Sequence, residues 1–102
     1  MSDQSETVDN EVLRLRRQGQ SYARISRDLG LERAATAQQA FRRALGRLPE
    51  ADASRVREEE ISRLDRLAAQ VRADTTKGDL DRARQLKTIE RLRGQIGQDS
   101  LA

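Results

Sequence analysis

The chain has 102 residues, which is enough for one compact domain or for a small domain with an appended helical arm. It contains no cysteine and no histidine, which excludes disulfides, zinc ligand sets, thiol nucleophiles and every Ser-His-Asp arrangement. The formal net charge is +3, and 18 of the 20 basic residues are arginine, whose planar fork suits phosphates and guanine edges. We therefore predict that the protein is not an enzyme and uses no cofactor and no metal.

The positive charge is concentrated in one third of the chain. Residues 1–10 sum to −3, whereas residues 11–48 sum to +6 because nine arginines face only three acidic residues. A codon bias of the source genome is an alternative explanation for the arginine excess. No apolar run approaches the roughly 18 residues that span a bilayer, and the acidic start is the opposite of a secretory signal. These features predict a cytoplasmic protein without membrane contact.

Hydrophobic spacing predicts three helices in the first half of the chain. A flexible acidic leader, residues 1–7, precedes a helix that Asp9 caps and that Gly19 ends in a left-handed conformation. Ser21 caps a second helix, which runs to Gly30. The apolar residues of the third helix recur at helical spacing and are expected to face the core: Ala34, Ala37, Phe41, Ala44, Leu45 and Leu48.

Two further helices are predicted after Pro49, which is tolerated in the first turn of a helix. Asp79 caps the fifth helix, which runs to about Ile96 and is ended by Gly97. The connection between the fourth and fifth helices is short and favours an antiparallel helical hairpin. The predicted fold is all-α and consists of a leader, a three-helix domain, a hairpin and a tail, at residues 1–7, 8–48, 49–97 and 98–102.

The strongest motif is Ser21-Tyr-Ala-Arg-Ile-Ser-Arg-Asp-Leu-Gly-Leu, followed by a helix that ends Phe41-Arg-Arg-Ala-Leu-Gly-Arg-Leu. In it, Ile25 and Leu29 face the core, and Gly30 supplies the freedom that a sharp turn between two helices needs. The motif resembles the helix-turn-helix of bacterial transcription regulators and is close to the promoter-binding fourth region of sigma factors. The resemblance implies that the third helix enters the major groove of DNA.

The sequence departs from the sigma-like pattern in the register of the third helix. That family places its next core residues six and ten positions after Gly30, which here are Thr36 and Ala40. Ala37 and Phe41 are the better apolar positions, so we expect the turn to be one residue longer.

With the apolar stripe facing inward, steps of about 100° per residue turn a polar face of the third helix outward. Candidate base contacts on or next to this face are Arg33, Thr36, Gln39 and Arg43. Candidate phosphate contacts are Ser21, Arg24, Arg27 and Arg42. The alternative is that this face is simply the solvated side of a three-helix bundle.

The fourth helix contains three consecutive glutamates, residues 58–60. Consecutive helical residues diverge by about 100° and cannot converge on one metal ion, so we interpret the run as a solvated face. Glu60 projects toward the side that carries Leu64 and Leu67, and it needs a partner if that side is buried.

In the fifth helix the apolar residues recur every three positions from Leu80 to Leu92, so their stripe sweeps around the helix. One neighbouring helix cannot cover such a stripe. Either the first domain packs on it as well, or a second subunit does, and we favour a homo-oligomer. The candidate oligomerisation residues are Ile61, Leu64, Leu67, Val71, Leu80, Leu86, Ile89, Leu92 and Ile96.

The span from Ile61 to Ser100, with Gly78-Asp79-Leu80 in its turn and Ile89-Glu90-Arg91-Leu92 after it, is similar to the helical region of phage small terminase subunits. This resemblance implies a DNA-recognition domain that is carried on an oligomerising hairpin.

The leading hypothesis is a protein that binds double-stranded DNA, either a transcription regulator or a phage-like DNA-recognition subunit. The alternative is a protein-interaction module whose hairpin docks on a partner such as RNA polymerase. A docking module should tolerate the loss of charge at Arg42 and Arg43 but not a polar residue at Leu86 or Ile89. The sequence contains no constellation of residues that would support the hypothesis of an enzyme.

Overall fold

A computed structural model describes residues 2–99 of the chain and the side chains of residues 5–97. The described part is all-helical, with no residue in a β-strand, and this confirms the predicted all-α class. The helices are α1 (Ser2–Arg17), α2 (Tyr22–Leu29), α3 (Ala34–Arg47), α4 (Glu50–Ala73) and α5 (Asp79–Asp99). Two compact units are present, Met1–Ala53 and Ser54–Ala102, and the division between them falls inside α4.

The first helix begins earlier than the sequence predicts. Because α1 starts at Ser2, residues 2–7 are helical rather than a leader, and the prediction that Asp9 caps this helix is wrong. Asp9 lies in the helix interior, and its carboxylate accepts hydrogen bonds from two arginines of α3 instead of from the backbone of a first turn. The long-range partners thus replace the local cap.

Two turns separate the first three helices, and glycine allows each of them. Gly19 follows α1 with φ of 106°, and Gly30 follows α2 with φ of 69°, a left-handed conformation that L side chains rarely adopt. The Leu31 amide then donates to the Ser26 carbonyl at 2.8 Å, which closes the turn. At the start of α2 the Ser21 hydroxyl accepts a hydrogen bond from the Arg24 amide at 3.2 Å. The predicted cap at Ser21 and the predicted helix end at Gly30 are confirmed.

Helix α3 packs against α1 and α2 through one face. Ala37 and Phe41 are completely buried, as the longer turn predicts, but Ala40 is buried as well. The core face is therefore wider than the predicted stripe and includes a position from the sigma-like register. Ala34 was expected to face inward and is exposed, because it lies in the first turn of the helix, and Leu48 is half-buried.

The only two aromatic rings of the chain meet in this core. The centroids of Tyr22 and Phe41 lie 6.0 Å apart with an angle of 68° between the rings, an edge-to-face arrangement. The Arg16 guanidinium lies over the Tyr22 ring, 4.0 Å from the ring centroid, and donates to the Gln20 carbonyl at 3.1 Å. Arg16 is buried, so one of the nine arginines of residues 11–48 belongs to the core.

In the second unit, residues 74–78 connect α4 to α5. The Asp74 carboxylate accepts from the amide and the hydroxyl of Thr76, at 2.9 and 2.5 Å, and the Arg82 guanidinium donates to the Asp74 carbonyl at 3.1 Å. Farther along, Arg93 of α5 donates to Asp65 of α4 at 3.0 Å. Arg82 thus joins α5 to the connection, and the bond from Arg93 to Asp65 joins the two helices directly.

Helix α5 does not end at Gly97, so that prediction is wrong. Gly97 keeps a right-handed backbone conformation, and the helix continues to Asp99, because an interior glycine costs only about 1 kcal/mol. Two residues of the predicted tail are thus helical, and residues 100–102 lie outside the described residues. No helix within residues 2–99 combines the length and the apolar character that crossing a bilayer requires.

The residues predicted for oligomerisation differ in their exposure within the single chain. Leu64 and Ile96 are buried, so they already belong to the core of one chain. Leu67 and Leu80 are 40% and 65% exposed. The other five residues are half-buried: Ile61, Val71, Leu86, Ile89 and Leu92.

Candidate nucleic-acid interface

The polar face of α3 lies opposite its core face. Gln39 and Arg42 are exposed near its centre, and Arg33 is exposed just before the helix begins. Thr36 is only half-buried, because it is four residues before Ala40 and shares the side that Ala40 turns toward the core. Of the four predicted base contacts, Arg33, Gln39 and Arg43 are therefore exposed, and Thr36 is not fully so.

Arg43, the fourth predicted base contact, is bound to a buried carboxylate. Its Nε and Nη2 donate to the two oxygens of Asp9, both at 2.9 Å, and Arg47 Nη1 donates to Asp9 Oδ2 at 2.9 Å. The Asp9 side chain is 1% exposed, whereas Arg43 and Arg47 are 50% and 41% exposed. The fork of Arg43 that would bind a guanine edge is thus occupied within the chain.

The electrostatics of this cluster follow from its geometry. The paired hydrogen bonds from Arg43, with a smaller contribution from Arg47, lower the pKa of Asp9 even though burial acts to raise it. The same hydrogen bonds raise the pKa of Arg43. Asp9 is therefore a charged, buried group that fastens α1 to the middle and the end of α3.

The sequence contained a partial signal for this cluster. Asp9 precedes the buried Val12 by three residues, which places a carboxylate beside the apolar face of α1. Arg43 and Arg47 are four residues apart and so share one side of α3. What the sequence could not supply was the pairing itself, since 34 residues separate Asp9 from Arg43.

The predicted phosphate contacts lie on both helices of the motif. Ser21, Arg24 and Arg27 are exposed along α2, and Arg42 is exposed on α3. Arg24 lies 3.7 Å from Asp28, an exposed pair that contributes little to stability. Arg27 and Arg33 have no ion-pair partner among the side chains that the structure describes. These two arginines are therefore available to an external anion.

The three glutamates of the α4 run differ in their surroundings. Glu60 is buried and its carboxylate accepts from Arg63 Nε at 3.2 Å, which supplies the partner that its burial requires. Glu58 and Glu59 are exposed. Among the described residues no group of three acidic side chains converges where a metal ion could bind.

No protein-family model, curated protein or solved structure matches this chain. The resemblances to sigma factors and to small terminase subunits therefore stay predictions from the motifs.

Proposed function

We propose that this protein binds double-stranded DNA, with α2 and α3 acting as a helix-turn-helix and α3 entering the major groove. One observation carries the proposal: α3 buries one face completely and leaves Gln39 and Arg42 exposed on the other, directly after the closed turn at Gly30. An α-helix with such a face fits the major groove, where every base pair presents a distinct hydrogen-bonding pattern.

Within this proposal the base contacts are Arg33, Thr36 and Gln39. Arginine and glutamine bond guanine and adenine in a bidentate manner, and threonine can contact a thymine methyl group. We assign Arg43 a positioning role rather than a base contact, because its guanidinium is bound to Asp9 and this bond fixes the orientation of α3. Ser21, Arg24, Arg27 and Arg42 contact phosphates, so affinity should fall as the salt concentration rises.

The test compares Gln39→Ala with Arg27→Ala, two single truncations on adjacent helices. Gln39→Ala should relax the preference at one base position by about 1–3 kcal/mol, because a bidentate contact is lost there. Arg27→Ala should weaken binding to all sequences alike and reduce the salt slope by about 1. Selection of bound duplexes from a random pool, followed by salt titrations, measures both effects.

A wild-type protein that binds no duplex at about 50 mM salt would rule out the proposal, because phosphate contacts are strongest there. Equal effects of the two substitutions on every sequence would leave DNA binding in place but contradict base contact through α3.

We further propose that α4 and α5 form an antiparallel hairpin through which the protein self-associates. Support comes from the exposure of Leu67 and Leu80 and from a groove of about 370 Å³ whose apolar lining is Leu67, Val71 and Ile89. An exposed leucine in an apolar groove is typical of a surface that a second subunit covers, and Leu80 is a second exposed leucine on α5.

Light scattering coupled to size exclusion tests self-association with a matched pair of substitutions. Leu67→Gln should lower the measured mass toward that of one chain, because it places an amide in the apolar contact. Val8→Gln serves as the control, since Val8 is 37% exposed on α1 and should leave the mass unchanged. A wild-type mass of 11.5 kDa at every concentration tested would contradict self-association.

The same groove favours one alternative function, a module that docks on another protein. In that case loss of charge at Arg42 would leave function intact, whereas a polar residue at Leu86 or Ile89 would abolish it.

A further inference from the structure

Helix α5 carries a cationic stripe, which we define as Arg84, Lys87 and Arg91. The three residues follow one another at intervals of three and four and are all exposed, so they share one face of the helix. At a rise of 1.5 Å per residue the stripe is about 10 Å long. None of the three side chains has an ion-pair partner among the described residues, and the neighbouring Glu90 pairs with none of them.

The other arginines of the first four turns of α5 differ from the stripe. Arg82 pairs with Asp79 and donates to the Asp74 carbonyl, and Arg93 pairs with Asp65. Like charges at these spacings repel by a few tenths of a kcal/mol for each pair. Asp81 and Glu90 lie three residues from Arg84 and Lys87, so they offset part of this repulsion without forming an ion pair. An external anion would relieve the remainder.

We infer that the cationic stripe of α5 is a second contact surface for the phosphate backbone of the bound DNA, separate from α2 and α3. The choice of DNA as the partner rests on the proposed function. Duplex DNA carries one negative charge per about 1.7 Å of its axis. A row of cations can therefore meet phosphates without an exact match between the two spacings.

An acidic protein fits the stripe less well than DNA does. Stable protein interfaces surround a desolvated apolar or aromatic anchor and are depleted in lysine. Arg84 and Thr88 also line the apolar groove of Leu67, Val71 and Ile89, but Lys87 and Arg91 do not. The Thr88 hydroxyl already donates to the Arg84 carbonyl at 3.1 Å. Phosphate contacts need only the charged ends of long side chains, and those are what the stripe provides.

The experiment removes three charges in each of two variants of the full chain. The stripe variant carries Arg84→Gln, Lys87→Gln and Arg91→Gln. The control carries Arg→Gln at three exposed positions of α4 in the same unit, which likewise have no ion-pair partner among the described residues: Arg55, Arg66 and Arg72. The logarithm of the binding constant for duplex DNA is measured against the logarithm of the salt concentration. Circular dichroism and light scattering verify that both variants keep the helix content and the mass of the wild type, because Arg84 also lines the groove proposed for self-association.

We expect the stripe variant to have a salt slope that is shallower by about 2–3, since each phosphate contact contributes about 0.9. Its sequence preference should equal that of the wild type, because phosphate contacts carry no base information. The control should keep the wild-type slope to within about 1.

Two results would overturn the inference. An unchanged slope in the stripe variant would show that DNA does not contact the stripe and would favour an acidic protein as its partner. Equal reductions of the salt slope in both variants would show an effect of net charge alone. The variant Gln39→Ala separates the two proposals. If the stripe variant changes the salt slope while Gln39→Ala leaves the sequence preference unchanged, the stripe is supported and base contact through α3 is contradicted.

Discussion

Replacing Arg43 and Arg47 together with methionine is expected to lower the free energy of unfolding by about 3–5 kcal/mol. Methionine keeps most of each aliphatic stem and thus keeps the 1% exposed Asp9 carboxylate covered. The charge of Asp9 would then be buried without a cation, which is far less favourable than a buried pair. Urea denaturation at pH 7 measures the loss.

A triple variant that adds Asp9→Asn to the two methionines provides the control. It removes the unpaired charge, so it should regain most of the lost stability even though it carries one more substitution. If the triple variant were no more stable than the double variant, the loss would come from packing rather than from the buried charge.

The dependence of stability on pH follows from the same carboxylate. Because the hydrogen bonds of Arg43 lower the pKa of Asp9, the wild-type pair stabilises the fold fully above the unfolded value, 3.8. That contribution is lost as the pH falls through the lower, folded pKa. In the double variant burial acts alone and raises the pKa of Asp9, so its deficit relative to the wild type should shrink in acid.

Phe41→Ala is expected to lower the free energy of unfolding by a similar amount, about 3–5 kcal/mol. The ring is completely buried and forms the edge-to-face contact with Tyr22 that joins α3 to α2. Truncation leaves a cavity between these helices and removes the aromatic pair. DNA binding should fall in parallel as the temperature rises, because the orientation of α3 depends on this contact.

Phe41→Leu is the matched control, since it preserves an apolar side chain of comparable size and removes only the aromatic contact. It should cost less than about 1.5 kcal/mol. Thermal melts of the two variants, recorded with the wild type, measure the difference. Equal destabilisation by alanine and leucine would mean that the aromatic contact, and not the filled volume, accounts for the loss.

These two predictions have a common consequence for the proposed DNA contact. Phe41 attaches the core face of α3 to α2, and Asp9 attaches Arg43 and Arg47 to α1. Between them they leave exposed the side of α3 that carries Gln39 and Arg42. A helix held on two sides in this way is preorganised for a groove and needs little ordering when it binds.

The exposed positions of α3 could be predicted from the sequence because they depend on a single helix. Steps of 100° place Gln39 opposite Phe41 wherever α3 packs. The partial burial of Thr36 and the burial of Ala40 do not follow from this periodicity. They depend on the width of the core face, which is set by how closely α1 and α2 approach α3. Arg43 was assigned to the exterior by the same periodicity, and it does lie at the surface, but its guanidinium is directed to Asp9.

Local sequence patterns were sufficient to predict the all-helical class, the cap at Ser21 and the helix end at Gly30. Each of these depends on hydrogen bonds and torsion angles within about five residues, so a local pattern is sufficient evidence for it. Tertiary packing, by contrast, sets where α1 begins and which arginines remain available to an external anion. Asp9 and Arg43 are 34 residues apart, and their pairing exists only because the packing of α1 on α3 brings both side chains to one buried point.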